Sequence, residues 1–187
     1  MTRNQLTDLI INHKSRFEEE TNFKKRFIDL LLEPNCFMRL RLEGHFTASC
    51  WTTDMSRRKV LLMHHAKLNK WLQPGGHADG DENLINVAKK ELQEETGLEN
   101  YSTSNFNNIF DIDIHTIPEK KGIPEHFHYD VRFHFIADKP DEIKKNHESN
   151  DLKWVNLDDV QEICKNEKSI MRMVEKTIQM NQIIKTT

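Results

Sequence analysis

The segment spanning residues 71–98 constrains the fold more than any other part of the chain. It contains a short strand predicted over residues 71–76 that runs into a glycine-rich turn, followed by an amphipathic helix predicted over residues 81–96. Asp81 suits the N-cap of this helix and Gly97 suits its C′ position. On a helical wheel the apolar side chains share one side, so the helix is predicted to pack on other elements. These apolar residues are Leu84, Ile85, Val87, Ala88 and Leu92.

Three acids, Glu91, Glu94 and Glu95, project together near the end of this helix because they are spaced i, i+3 and i+4. They continue the apolar stripe rather than the polar side. Like charges, an unfavourable helix dipole of roughly 0.3–1 kcal/mol per acid and partial burial all oppose this arrangement. A bound Mg²⁺ ion would relieve all three costs, since carboxylates and substrate phosphates are its usual ligands. A solvated helix end is the ordinary alternative.

The glycine pair Gly75 and Gly76 precedes this helix. Glycines permit positive φ and close approach of a ligand, and successive N–H groups in such a turn can cradle an anion. His77 follows the pair and is a candidate contact for phosphate or metal. A tight loop without a ligand, with a histidine of no special role, is the alternative.

The rest of the chain predicts strands mixed with a few helices, which indicates an α+β layered fold. Residues 3–32 have helical periodicity and form one or two helices that end before Pro34. Strands are predicted over residues 46–51, 59–63, 106–114, 126–137 and 152–155, and further helices over 157–164 and 169–184.

Residues 126–137 alternate strictly between polar and apolar side chains. For such a strand the polar face is ordinarily expected to meet solvent. Histidines are less expected there than lysine or threonine, so His128 and Asp130 are candidates for substrate contact. The polar residues are His126, His128, Asp130, Arg132 and His134.

Composition excludes several classes of partner. The net charge is −3, so no basic surface indicates a nucleic acid polymer. No apolar run approaches the roughly 18–20 residues that span a membrane, and the N-terminus lacks the apolar core of a signal peptide. The three cysteines are widely spaced and odd in number, which favours a reducing cytoplasm over a disulfide framework.

The loop and helix together resemble the Nudix box, G-x5-E-x7-R-E-U-x-E-E-x-G-U, in which U is aliphatic. Every fixed position matches except the arginine, which is Lys90 here. The box covers residues 76–98, and the resemblance suggests a helical extension over residues 1–34 and a Nudix domain with a C-terminal helix over 35–187. The matching residues are Gly76, Glu82, Glu91, Leu92, Glu94, Glu95, Gly97 and Leu98.

The resemblance implies an α/β/α sandwich around a mixed sheet and hydrolysis of a nucleoside diphosphate linked to another moiety. It also implies Mg²⁺ or Mn²⁺ held by Glu91, Glu94 and Glu95, with Glu91 either a third ligand or the base that activates water. Glu82 suits a structural position at the start of the helix. Lysine lacks the planar fork of arginine, so Lys90 should hold the glutamates more loosely without abolishing activity.

Nudix enzymes often recruit an acid from outside the box, and Glu148 is the candidate here. A plain loop glutamate is an equally ordinary interpretation of that residue. The substrate is expected to be a small nucleoside diphosphate derivative whose identity the box leaves open. The N-terminal helices could supply the interface of a homodimer.

Two other functions compete with hydrolysis. Isopentenyl diphosphate isomerases share the fold and the histidine after glycine, but they need a cysteine where this chain has Gly75. A non-catalytic module that binds a nucleotide is the second rival. Such modules tend to lose box glutamates, whereas this chain keeps all four, which favours catalysis.

Overall fold

The computed structural model describes residues 1–103, 108–120 and 122–186. Its helices are α1 (Arg3–Asn12), α2 (Glu18–Leu31), α3 (Leu84–Thr96), α4 (Val160–Ile163) and α5 (Lys168–Thr186). Its strands are β1 (Gly44–Asp54), β2 (Lys59–His65), β3 (Lys70–Leu72), β4 (Gly75–His77), β5 (Tyr101–Thr103), β6 (Asp111–Ile117), β7 (His126–Ala137) and β8 (Ser149–Asn156).

The chain forms two compact units, and the boundary between them falls within β1, β7 and α3. The first unit comprises Met1–Ser49, Gly75–Lys90 and Asn105–Phe133. The second unit comprises Cys50–Pro74, Glu91–Ser104 and His134–Thr187.

In the first unit, two antiparallel strand pairs are covered by the N-terminal helices. β4 pairs with the first half of β1. Every residue of β6 pairs with a residue in the first part of β7. The buried Glu20 of α2 accepts a hydrogen bond from the Ile112 amide at 3.1 Å, which fixes α2 on β6. The apolar core of this unit includes Leu6, Ile10, Phe27, Phe37 and Phe46.

In the second unit, β2 pairs antiparallel with both β3 and β8, and β5 pairs antiparallel with the end of β7. Trp51, which is fully buried, donates its indole N–H to Thr177 Oγ1 of α5 at 2.8 Å. This bond satisfies the polar atom of the largest buried side chain and fixes α5 against the strands.

β1 and β7 are neighbours in the order β3-β2-β1-β7-β5. Ser49 bonds Asp130, and Thr53 contacts His134 four residues further along both strands. Because the partners advance in the same direction, β1 and β7 run parallel. The antiparallel and parallel pairs make a mixed sheet, and the predicted α+β class is confirmed.

The predicted elements are largely confirmed. The short strand predicted over residues 71–76 is divided into β3 and β4, and β5 is an addition. The start of the strand predicted over residues 106–114 falls partly outside the described residues, and the observed strand begins at Asp111. The helix predicted over residues 81–96 begins at Leu84 instead. The Asp81 carboxylate accepts the Asn83 amide at 2.8 Å, and this local turn delays the helix, so Asp81 as N-cap is wrong.

The expectation that the polar face of β7 meets solvent is also wrong. Asp130 and Arg132 are each 2% exposed, because their face is covered by neighbouring groups within the first unit. The three cysteines, Cys36, Cys50 and Cys164, are buried thiols outside any disulfide among the described residues. Over the part of the chain that the structure describes, no helix has both the length and the apolarity to cross a bilayer.

Candidate functional site

The C-terminal half of α3 carries the predicted metal ligands. Glu91 is half-buried, Glu94 is exposed and Glu95 is only 4% exposed. The apolar residues Leu84 and Leu92 are fully buried, as the helical wheel predicts. The carboxylates of Glu91, Glu94 and Glu95 are oxygen donors of the kind that hard divalent cations prefer, so this end of α3 is a candidate site.

Gly97 ends α3 in the left-handed conformation, with φ of 69°. Its amide donates to the Gln93 carbonyl at 2.8 Å, and a Cβ atom there would lie 3.1 Å from Lys144 Cβ. The Lys144 amide in turn donates to the Thr96 carbonyl at 2.6 Å. The helix end and the segment that follows β7 are therefore joined through the backbone, as the C′ position predicted for Gly97 permits.

Glu148 reaches the same helix end through Asn146. The Asn146 side chain donates to the Glu94 carbonyl at 2.9 Å, and its oxygen accepts the Glu148 amide at 2.8 Å. The half-buried Glu148 carboxylate lies 3.8 Å from His147 Nε2. One asparagine thus ties the loop acid to the backbone of a box glutamate. The role of Glu148 as a metal ligand stays a prediction.

The two glycines serve strand packing. Gly75 and Gly76 belong to β4 and pair with Ser49 and Ala48. A Cβ on Gly75 would lie 2.6 Å from Ser49 Oγ and 2.8 Å from the Ala48 carbonyl oxygen, so β1 excludes any side chain there. The predicted turn at these glycines is wrong, because neither adopts positive φ. The turn follows at Asp79 and Gly80, with φ of 49° and 92°.

Glu82 and Lys90 flank the buried part of the box. Glu82 accepts hydrogen bonds from the Arg3 amide at 3.2 Å and from Arg3 Nε at 3.1 Å, which joins α1 to the start of the box helix. Lys90 is exposed. The pKa of Asp79 is lowered, mainly by its hydrogen bond from Arg39 and more weakly by the charge of Lys90.

A group of histidines in the first unit was only partly foreseen. His77 and His128, both predicted to contact substrate, have ring centroids 4.9 Å apart. His45, which is 1% exposed, lies 5.2 Å from His77 and 4.9 Å from His128. His126 and His115 each lie 5.3 Å from His128. These five residues are called the histidine cluster below.

Three members of the histidine cluster are uncharged at neutral pH. Burial lowers the pKa of His77 to about 4 and that of His128 to about 2. Burial also lowers the pKa of His45. These rings therefore offer nitrogen lone pairs rather than positive charge. Sequence reasoning missed His45, although it alternates with Thr47 and Ser49 along β1 in the manner of one strand face.

Asp130 belongs to a buried ionic network. Its carboxylate accepts hydrogen bonds from Thr47 at 3.1 Å, Ser49 at 2.7 Å and Arg132 Nε at 2.8 Å. Arg132 also donates to Asp111 and Asp113, at 3.1 Å each. Burial alone would lower the pKa of Arg132, but the three carboxylates raise it. The predicted contact of Asp130 with substrate stays a prediction.

The NUDIX domain family model matches residues 44–174. An Ap4A hydrolase binary complex from C. elegans is similar in structure with a TM-score of 0.58 and 19% identity, over 72% of this chain and 96% of that one. A NUDIX-family hydrolase from Clostridium perfringens has a TM-score of 0.54 and 25% identity, over 73% of this chain and 97% of that one. The MutT protein from Methanosarcina mazei Go1 has a TM-score of 0.56 and 18% identity, over 76% of this chain and 98% of that one.

No curated protein matches the sequence significantly. The solved structures with identities below 25% show a shared fold, and the family assignment follows from the family model. That model spans more than half of the chain and includes the whole α3 segment with its glutamates. The chain therefore belongs to the NUDIX domain family and is an enzyme of the Nudix pyrophosphohydrolase type.

Proposed function

We propose that this enzyme hydrolyses, in a Mg²⁺-dependent reaction, the diphosphate bond of a nucleoside diphosphate linked to another moiety. The observation that carries the proposal is the acidic end of α3, where Glu91, Glu94 and Glu95 share one face and Glu95 is buried. Carboxylates grouped on the last turns of a helix repel one another and oppose the helix dipole, and a bound cation relieves both costs.

The donor set fits a hard divalent cation. The helix offers three carboxylates, and Asn146 ties the loop of Glu148 to the backbone of Glu94. Oxygen donors of this kind suit Mg²⁺ and also Mn²⁺. When bound, such an ion neutralises phosphate oxygens and lowers the pKa of a coordinated water molecule.

The protein's own groups divide the remaining tasks. Glu94 and Glu95 are proposed as ligands, and Glu91 as a third ligand or as the base that takes the proton from water. Glu148 is proposed as an additional ligand. The backbone hydrogen bonds of Gly97 and Lys144 hold the end of the helix that carries these carboxylates. Positioning and charge neutralisation account for most of the catalysis of phosphoryl transfer.

The substrate is proposed only as a class. Among the proteins of similar structure, one is described as an Ap4A hydrolase and another as a MutT protein. Linked nucleoside diphosphates and nucleoside triphosphates are therefore the panel to test first. His77 and His128 are half-buried and uncharged, and they are proposed to contact the substrate as hydrogen-bonding groups.

The experiment incubates the enzyme with Mg²⁺ and a panel of sugar nucleotides, dinucleotides, ADP-ribose, coenzyme A and nucleoside triphosphates. Mass spectrometry identifies the products. We expect cleavage of at least one diphosphate bond, and loss of at least about a hundredfold in kcat/KM in Glu94→Gln and Glu95→Gln. Glu162→Gln, at an exposed position of α4, is the matched control and should keep full activity.

Glu94 is exposed, so Glu94→Gln should fold even where Glu95→Gln does not. Circular dichroism checks each variant. Tight binding of a nucleotide without turnover would overturn the proposal in favour of a binding module. Turnover that survives in both α3 variants would show that other groups carry the reaction.

Two smaller expectations accompany this function. The buried thiols of the three cysteines agree with a proposed location in the reducing cytoplasm. A homodimer is also proposed, and light scattering coupled to size-exclusion chromatography tests it.

A further inference from the structure

Strand register brings the histidine cluster together on one sheet face of the first unit. Thr47 of β1 pairs with His77 of β4, and His115 of β6 pairs with His128 of β7. His45 precedes Thr47 by two residues and therefore points to the same face. Three separate strands thus contribute His45, His77 and His128.

Two ring nitrogens in this cluster are buried and form no hydrogen bond within the described part of the chain. His45 Nδ1 lies 3.2 Å from the Arg41 carbonyl oxygen, to which it can only donate, so its lone pair is on Nε2. Nε2 of His45 and Nε2 of His128 are buried and have no hydrogen-bond partner among the described residues. An unsatisfied buried polar atom costs about 1–3 kcal/mol, so the pair calls for a ligand.

The geometry is close to that of a metal site. One ligand nitrogen from each of His45, His77 and His128 lies within 4.8 Å of the other two. A tetrahedral Zn²⁺ ion with bonds of about 2.0–2.1 Å separates its ligands by roughly 3.3 Å, so modest ring rotations close the difference. The hydrogen bond from His45 to a backbone carbonyl is the support that histidine ligands of metals usually have.

We propose that His45, His77 and His128 bind a Zn²⁺ ion through three imidazole nitrogens, independently of the Mg²⁺ ligands on α3. Imidazole favours zinc and its transition-metal neighbours, whereas Mg²⁺ and Ca²⁺ prefer oxygen donors. Three histidines leave one tetrahedral position, which a water molecule or a substrate oxygen would occupy.

The charges around the three ligands permit a cation there. The positive charge of Arg39 lowers the pKa of both His45 and His77, and this guanidinium is held in an ion pair by Asp79. His126 contacts the Pro124 carbonyl through Nδ1 at 2.9 Å, and His115 Nδ1 lies 3.3 Å from Asp113. The ring centroids of His115 and His126 each lie 5.3 Å from that of His128.

The test uses protein without a polyhistidine tag, stripped of metal with a chelator and studied without Mg²⁺ or nucleotide. Zn²⁺ is titrated by calorimetry, and Co²⁺ is titrated by visible absorption, in which tetrahedral coordination gives intense d–d bands. We expect one ion per chain. His45→Gln, His77→Gln and His128→Gln should each bind at least about a hundredfold more weakly, since each loses one of three ligands.

His64→Gln is the matched control, because His64 contacts Trp71 and Asn150 and belongs to no cluster of potential ligands among the described residues. It should bind zinc like the wild type. His77→Cys keeps a zinc ligand and should recover most of the affinity that His77→Gln loses. Where a glutamine variant fails to fold, zinc-dependent shifts of the wild-type imidazole ¹⁵N resonances give the ligand set directly.

Absence of Zn²⁺ uptake by the wild type at micromolar concentration, or equal uptake by the control and the three ligand variants, would overturn the proposal. Glu94→Gln should bind zinc normally. A failure of the zinc site is therefore distinguishable from a failure of the proposed hydrolase function.

Discussion

The acidic end of α3 and the histidine cluster are two groups of potential cation ligands with opposite chemistry. The first offers carboxylate oxygens from one helix, spaced at i, i+3 and i+4. The second offers uncharged nitrogens from three strands, His45 on β1, His77 on β4 and His128 on β7. Helical spacing is local, whereas the histidines depend on strand register.

This difference separates both the preferred ion and the supporting structure. Oxygen donors select hard cations such as Mg²⁺, and imidazoles select zinc-like ions. The histidines share a sheet face with the Arg132 network, so they depend on the folding of that face. The glutamates depend on the termination of α3 at Gly97 and on the loop tied by Asn146.

The largest effect is predicted for a substitution in the ionic network that lies on the same sheet face as the histidine cluster. Arg132→Met leaves the carboxylates of Asp111, Asp113 and Asp130 buried without their guanidinium, so we expect a loss of about 3–5 kcal/mol in the free energy of unfolding. Urea denaturation measures it. Arg58→Met, at an exposed position, should change stability by less than about 0.5 kcal/mol. Equal stability of the two variants would show that the network is not coupled to folding.

The next prediction concerns the loop acid on the glutamate side. Glu148→Gln should lower kcat by roughly tenfold to a hundredfold with Mg²⁺, because it removes a proposed ligand charge. Asn146→Ala should lower kcat less, since it loosens the position of Glu148 without removing its carboxylate. Asn150→Ala is the control, and steady-state kinetics provide the measurement. An unchanged kcat in Glu148→Gln would show that Glu148 is an ordinary loop glutamate and not a metal ligand.

Acid should destabilise the fold through His134, which continues the polar row of β7. Burial and the charge of Arg57 lower the pKa of this residue to about 3. The unfolded chain therefore takes up the proton first, and stability present above about pH 6.5 is lost as the pH falls toward 3.

Between about pH 7 and about pH 5, His134 should account for up to roughly 2 kcal/mol of this loss. His134→Gln keeps a polar contact for Thr53, and its free energy of unfolding should fall less between these two pH values than that of the wild type. Urea denaturation at both pH values measures the difference. Parallel declines in the variant and the wild type would assign the acid sensitivity to other groups.

The smallest predicted effect tests the departure of the box from the family pattern. Lys90→Arg restores the planar fork that the resemblance assigns to this position, so we expect a rise of a few fold in kcat/KM. Because Lys90 is exposed, the free energy of unfolding should stay constant. A fall in activity would mean that lysine is the better residue in this chain.

Local patterns were sufficient to predict much of the fold. The bounds of β7 follow from strict alternation, and α3 follows from its apolar stripe and the glycine after it. The sequence does not reveal the start of α3, because the Asp81 side chain forms a turn before the helix. It does not reveal that the glycines belong to β4, because the approach of β1, which excludes a side chain at Gly75, is a tertiary contact.

The α3 glutamates and the histidine ligands also differ in how far the sequence predicts them. Glu91, Glu94 and Glu95 could be named from the sequence because one helix carries them. His45 could not be linked with His77 and His128, since their proximity arises from strand register. The burial of Asp130 and Arg132 also depends on contacts from β1 and β6, which alternation alone does not reveal.

Manganese binding tests the central claim, that the α3 glutamates hold the divalent cation of the hydrolase, most directly. Electron paramagnetic resonance measures free Mn²⁺ during titration of the wild type, of Glu94→Gln/Glu95→Gln and of the control Glu162→Gln, each with a nucleoside diphosphate present. We expect the wild type and Glu162→Gln to bind Mn²⁺ equally and the double variant to bind it at least about tenfold more weakly. Equal uptake by all three proteins would contradict the assignment.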